Sequence, residues 1–333
     1  MLDIVSIGDT THDIFIDLPT EAAGVNCEID RQECKLMLGY GDKLPINHLT
    51  HVYAVGNAAN NAVGMARLGF NNAVYTNLGN DDSSNQALEI FAKEKVGLDL
   101  IAKNSDKPGN LSVVINYEGE RVILVHHEKW IYKLPSLQPA PKFIYYTSVA
   151  QNHESLNDEL VSFVKENNVK LGFNPGTYQI KKGLDILKPV MAVTYAFIVN
   201  RLEAGRILGI QVKQEERDDN GLKALLLGIH NLGVKNVVIT DGPIGTYAYD
   251  GNDYYYLKPN DVPVVERTGT GDAFSTGFMS GLIKDQTIAE AMRWGALNSE
   301  SVLQFIGARD GLLTEEKMQV KLLKYKNFKA ERI

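Results

Sequence analysis

Short apolar runs alternate with segments of helical spacing along almost the whole chain, and this alternation constrains the fold more than any single motif. The runs lie at residues 4–7, 74–78, 143–147, 170–174, 196–200 and 236–240. Between them, residues 60–68, 87–95, 156–166, 202–208 and 222–232 carry apolar side chains three and four apart. A run of four or five residues without regular polar alternation suits a strand covered on both faces, and each intervening helix can supply such cover. The pattern predicts an α/β fold with a mostly parallel central sheet and helices on both faces. Ligands of such sheets collect beyond the carboxyl ends of the strands.

Two stretches break the rhythm. Residues 14–53 are rich in Gly, Asp, Asn and Pro, and residues 111–116 and 121–127 flank Glu118-Gly119, a hairpin signal. Both are expected to protrude as strands of a small β-sheet lid, inserted in two pieces at about 14–53 and 108–128 into one catalytic domain spanning 1–333. After Gly271 the spacing turns helical, at 273–283, 288–305 and 315–325.

Composition narrows the partners. Of 333 residues 44% are hydrophobic and 23% charged, which suits a globular protein with a large core. The net charge of −7 gives no attraction to phosphate backbones or anionic lipid, so neither nucleic acid nor a membrane is an expected partner. Met1 to Ile7 reads as a strand and not a signal peptide, and no apolar stretch is long enough to span a bilayer. A cytoplasmic location is expected, with Cys27 and Cys34 as reduced thiols and a local disulfide as the second reading.

The chemistry concentrates in Arg267-Thr268-Gly269-Thr270-Gly271-Asp272. Two glycines at a helix start allow tight curvature with successive N–H groups aimed at one point, and the helix dipole adds to them. That is an anion hole suited to phosphate. An acid at its mouth makes sense if it accepts the proton of a hydroxyl that attacks the phosphate, which makes Asp272 a candidate general base. A plain turn with Asp272 as a helix cap satisfies the same residues. Gly56-Asn57-Ala58-Ala59-Asn60-Asn61 sets three amides at a second helix start, either for sugar hydroxyls or as a cap with solvated side chains. Thr240-Asp241-Gly242-Pro243-Ile244-Gly245 closes a strand where a nucleotide can lie, or is an ordinary turn.

Taken together and in this order, the segments resemble the ribokinase-like (PfkB) family of carbohydrate and nucleoside kinases, over residues 4–313. The resemblance implies a ribokinase-like three-layer fold and roles for particular residues. Thr11 and Asp13, in the loop after the first strand, would bind substrate hydroxyls together with Gly56, Asn57 and Asn60. Asn174 in Asn174-Pro175-Gly176 would approach the nucleotide phosphates. Asn200 and Glu203 match the family's Asn-x-x-Glu motif, with Glu203 organising Mg²⁺ chiefly through water. Thr240, Gly242 and Gly245 match the nucleotide turn, and Asn298 lies on the helix expected to close the adenine pocket. Gly269, Thr270, Gly271 and Asp272 match the anion hole and base. The chain departs from the family pattern at Val55-Gly56, where two glycines are usual, and at Glu266-Arg267-Thr268 in place of Asp-Thr-Thr. The longer Glu266 argues against a monovalent cation as a further cofactor beside ATP and Mg²⁺.

The implied reaction is in-line transfer of the ATP γ-phosphoryl group to a hydroxyl of a ribose- or fructose-like sugar. A nucleoside is the alternative acceptor, with Tyr40, Tyr53 and Tyr117 as lid aromatics for a base. A catalytically silent sugar- and nucleotide-binding sensor is the alternative of another class. The lid also offers a surface for a homodimer. No P-loop and no Gly-x-Gly-x-x-Gly occurs, since Phe274 stands where the third glycine would. His126-His127-Glu128 is not read as a metal cluster, because neighbouring strand residues face opposite sides.

Overall fold

The computed structural model describes residues 1–28, 33–212 and 217–333. Nine strands form the central sheet, in the order Glu331–Arg332, Tyr254–Leu257, Thr246–Tyr249, Asn236–Thr240, Thr194–Asn200, Lys170–Phe173, Phe143–Tyr146, Ile4–Ile7, Asn72–Tyr75. The six strands from Asn236–Thr240 to Asn72–Tyr75 are parallel, and the other three are antiparallel. The expected run at 74–78 divides at Thr76, and Asn77–Leu78 pairs instead with Ala102–Lys103.

Alternation within the strands builds a core on each face of the sheet. Ile144, Tyr146, Phe197 and Val237 pack under helices Glu154–Asn167, Leu184–Met191, Arg201–Leu208 and Asp219–His230. Phe143, Tyr145, Ile198 and Val238 face helices Thr270–Ile283 and Ile288–Val302. The chain runs from Ile4–Ile7 first to Asn72–Tyr75 on one side and later to Phe143–Tyr146 on the other. That reversal opens a crevice at the carboxyl end of the first strand.

A separate four-stranded sheet, in the order Glu120–His126, Asn110–Tyr117, Thr11–Asp17, His48–Val55, corresponds to the expected lid. Glu118 (φ 48°) and Gly119 (φ 84°) make the two-residue hairpin turn, as primed turns require. The lid begins earlier than expected: Thr11 and Asp13 lie on a strand and not in a loop, with a register shift between them opposite Val55 and Val52. A further hairpin, Ala23–Glu28 with Glu33–Leu38, sets Cys27 opposite Cys34 with Cα atoms 4.0 Å apart, and the two are joined as a disulfide. The expectation of free thiols is thereby corrected, because antiparallel pairing brings the two side chains together. Among the described residues no helix is long and apolar enough to cross a membrane.

Candidate active site

The loop that enters helix Thr270–Ile283 needs its two glycines for different reasons. Gly269 has φ 76°, and a Cβ there would lie 2.4 Å from the Cβ of Ala308, so conformation and packing both demand glycine. Gly271 has no such backbone strain, and apart from its chain neighbours and its own helix backbone no heavy atom lies within 4 Å of where its Cβ would be. Its missing side chain therefore keeps space open over the helix start, in place of the expected role in curvature. The Thr270 hydroxyl donates to the Arg267 carbonyl at 3.0 Å and closes the turn. First-turn N–H groups of a helix lack intrahelical acceptors, so this open space is electropositive.

Asp272 stands half-buried in that first turn, and Asn60 Nδ2 donates to its Oδ2 at 2.8 Å. Burial pushes the carboxyl up to about 6, while the Asn60 bond pulls the other way. The backbone below is tied to the first strand by a relay. Ser6 Oγ donates to Asn61 Oδ1 (2.8 Å), Asn61 Nδ2 to Thr276 Oγ1 (3.1 Å), and Thr276 Oγ1 to the Asp272 carbonyl (2.8 Å). Asn60 and Asn61 are both buried, which corrects the picture of solvated amides at this helix start. Their work in the structure is to seat Asp272. Gly64 permits the close helix contact, since a Cβ there would meet Thr276 Cγ2 at 2.6 Å.

Gly56, Asn57, Asn174, Asn200 and Glu203 connect to this point, and Thr240, with the turn after it, adjoins Asn200 in the sheet; there are two exceptions. Gly56 (φ 107°) begins helix Asn57–Arg67, and a Cβ would sit 2.6 Å from the Asp9 carbonyl oxygen. Asn57 Nδ2 reaches Asn174 Oδ1 at 3.5 Å, and Asn174 is held by its own donation to the Ile198 carbonyl (2.7 Å) and by the Tyr145 hydroxyl (3.2 Å). Asn200 and Glu203 form a reciprocal capping box, each side chain accepting from the other's N–H at 2.8 Å. Burial raises the Glu203 carboxyl, and the charge of Asp272 adds to the effect, so the two acids share one region. Thr240 lies beside Asn200 in the sheet, and Gly242 (φ 52°) and Gly245 (φ 138°) shape the turn that follows.

Asn298 is the first exception. It is fully buried, with Nδ2 donating to the Ala273 carbonyl (2.8 Å) and Oδ1 accepting from Leu313 N–H (3.0 Å). Both ends of its amide are used behind the pocket wall, so it braces the helix start and does not present itself to a nucleotide. The second is the pair Thr11 and Asp13, bonded to each other at 3.0 Å on the lid strand, with burial raising the Asp13 carboxyl. Thr11 is paired with Val55, the residue before Gly56.

Residues to which the sequence reading gives no role also meet in this region. Asp9 is buried and accepts from Tyr132 Oη (2.9 Å to each oxygen) and from Ala150 N–H (2.8 Å). His127 Nδ1 lies 3.5 Å from Asp9, while His126 turns to Glu128 at 3.0 Å, so the two histidines face different partners. Arg121, on the lid hairpin, donates to Thr268 at 2.9 Å. Its sequence neighbourhood shows only a polar residue after a turn.

The family pattern of the pfkB family carbohydrate kinases matches residues 25–315. The chain belongs to this family. Among pfkB relatives, a sugar kinase of Archaeoglobus fulgidus is 27% identical over 75% of this chain and 98% of its own length. In fold the chain is similar to the ribokinase of Arabidopsis thaliana, solved with ribose and ATP (TM-score 0.80, 19% identity, 97% of this chain and 99% of that one). It is also similar to the nucleoside kinase of Methanocaldococcus jannaschii (TM-score 0.75, 16% identity, 97% and 99%). As a pfkB-family kinase of ribokinase-like fold, the chain is a phosphotransferase that acts on a hydroxyl of a sugar or nucleoside.

Proposed function

We propose that this enzyme transfers the γ-phosphoryl group of ATP in line to a hydroxyl of a small ribose- or fructose-like sugar, with Asp272 as general base. The observation that carries the reading is the seat of Asp272: a half-buried carboxylate, aimed by Asn60, in the first turn of a helix whose mouth is kept open by Gly271. A carboxyl raised to about 6 is mostly ionised at neutral pH, yet basic enough to draw a proton from an attacking hydroxyl. The N–H groups of residues 269–272 would hold the charge that develops on the phosphoryl oxygens.

Asp13, Thr11, Gly56 and Asn57 would hold the sugar from the lid side, while Asn174, Asn200, Thr240, Gly242 and Gly245 would line the nucleotide. Mg²⁺ fits the same region, since Glu203 and Asp272 are two partly buried oxygen donors that burden each other with like charge. Glu203 would hold the ion through water, and the ion would neutralise the nucleotide phosphates when bound. Glu266 is otherwise engaged: it accepts from Thr268 and, at 2.7 Å, from Gly307 N–H, which leaves little reason for a monovalent cation there.

A nucleoside acceptor needs a free aromatic face in the lid. Tyr117 is buried with its hydroxyl bonded to two lid carbonyls, and Tyr53 stacks on His12 at 4.3 Å. Tyr40 alone of the expected three is exposed, and among the described residues no hydrogen bond or ring contact joins it to the helix starts, so the sugar reading is preferred. The single catalytic unit with an inserted lid would pair with a second copy through the edge strand Glu120–His126, where Ile123, Leu124 and Val125 are exposed beside unpaired backbone. ADP release across pentoses, hexoses, their phosphates and nucleosides tests the assignment. A response to sugars or their phosphates and not to nucleosides is expected. A response confined to nucleosides contradicts the acceptor class, and binding without any turnover points to the sensor.

A further inference from the structure

The lid meets the anion loop through one arginine that the proposed mechanism leaves unused. Arg121 Nη1 donates to Thr268 Oγ1 at 2.9 Å, joining residues 147 apart in the chain. Thr268 Oγ1 donates in turn to Glu266 Oε1, and the second oxygen of Glu266 accepts from Gly307 N–H at 2.7 Å. The guanidinium is thus moored at one corner to a loop that is itself anchored. Two residues after Thr268, that loop becomes the helix whose mouth stands open at Gly271.

A guanidinium presents five N–H donors in a planar fork, so one bond to a hydroxyl leaves most of them unused. A neutral hydroxyl also leaves the charge unmatched. The chain carries 41 acidic residues against 34 basic ones, yet among the described residues neither Arg121 nor the neighbouring exposed Arg267 meets a carboxylate. A guanidinium held beside a helix start is placed to receive an anion that arrives with a ligand.

We propose that Arg121 is a phosphate clamp carried by the lid, whose guanidinium binds a phosphate oxygen at the anion loop when the lid is closed. The inference rests on the kinase reading of that loop and adds a residue to it. The phosphate has two sources, the transferring group of the nucleotide or a phosphate already on the acceptor, and both present the same oxygens. Thr268 then serves as the parking partner that keeps Arg121 at the mouth.

Two measurements on wild type, Arg121→Gln and Arg121→Lys test this. Inorganic tripolyphosphate is titrated by calorimetry, and steady-state rates are taken with free and with phosphorylated acceptors. Loss of a charged hydrogen bond should weaken tripolyphosphate binding about tenfold or more in Arg121→Gln, with Arg121→Lys in between. A fall in kcat on every acceptor assigns the clamp to the transferring group, and a rise in KM confined to phosphorylated acceptors assigns it to the acceptor. Equal tripolyphosphate affinity in all three proteins, together with an unchanged KM for phosphorylated acceptors, overturns the proposal, even if Arg121→Gln wastes ATP on water, because a simple lid latch would do that. Absence of turnover in the wild type would contradict the kinase reading alone, since the calorimetry still decides the clamp.

Discussion

The helix start at Asp272 and the lid strand that reaches it are built on opposite terms. Helix Thr270–Ile283 is buried from Ala273 to Leu282, its first turn is braced by Asn298, and Asp272 is seated by Asn60. Strand Glu120–His126 is exposed at all seven positions, and its contact with the anion loop is the Arg121 bond to Thr268. The chemistry is thus held by many short, buried bonds that tolerate little change. Arg121 apart, the surface that closes over it is free to vary, and there selectivity among acceptors can change at little cost to the buried helix start.

This contrast can be broken or sharpened by substitution. The largest effect is expected at Gly271: a Cβ built there meets open space, so in Gly271→Leu the fold should persist while the phosphate site is filled. Turnover should drop at least about 100-fold with an unchanged melting temperature. A similar loss of stability would mean that Gly271 is structural after all. Next comes Asn298→Ala, which strands the Ala273 carbonyl and the Leu313 N–H in the interior. Denaturant titration should show a loss of about 2–4 kcal/mol with little change in the KM for ATP. A large KM effect at nearly constant stability would return Asn298 to the nucleotide pocket. The smallest effect on folding belongs to the lid edge. Ile123→Asp with Leu124→Asp should shift stability by no more than about 0.5 kcal/mol per site, while sedimentation reports a monomer in place of a dimer.

The sheet was legible because its strands are buried on both faces, so that runs such as Phe143 to Tyr146 need no polar alternation. The helix start at Gly269 to Asp272 was legible because two glycines before an acidic residue leave a local mark. What stayed hidden depends on contacts between distant segments. Asn61 and Thr276, 215 residues apart, meet under Asp272. Asn298 looks like a pocket residue in sequence and is a brace in space, because nothing local reveals that Leu313 returns to it. The disulfide stayed a second reading for a different reason: pairing Cys27 with Cys34 requires the register of a hairpin that only the assembled strands define.

Asp272 remains the centre of the account, and its protonation offers the most direct test. Its carboxyl sits above the ordinary carboxylate range, so it binds its proton more readily folded than unfolded. Ionisation therefore opposes folding as pH rises through about 6, and Asp272→Asn should melt no earlier than wild type at pH 7.5. The decisive measurement is kcat/KM for the acceptor from pH 5 to 8, followed by ADP release, in wild type and Asp272→Asn. The account predicts a wild-type limb that falls as pH drops below about 6, and a folded variant slower by about 10²–10⁴-fold with no such limb. A folded Asp272→Asn enzyme with wild-type rates, or one that keeps the same acid limb, would contradict it.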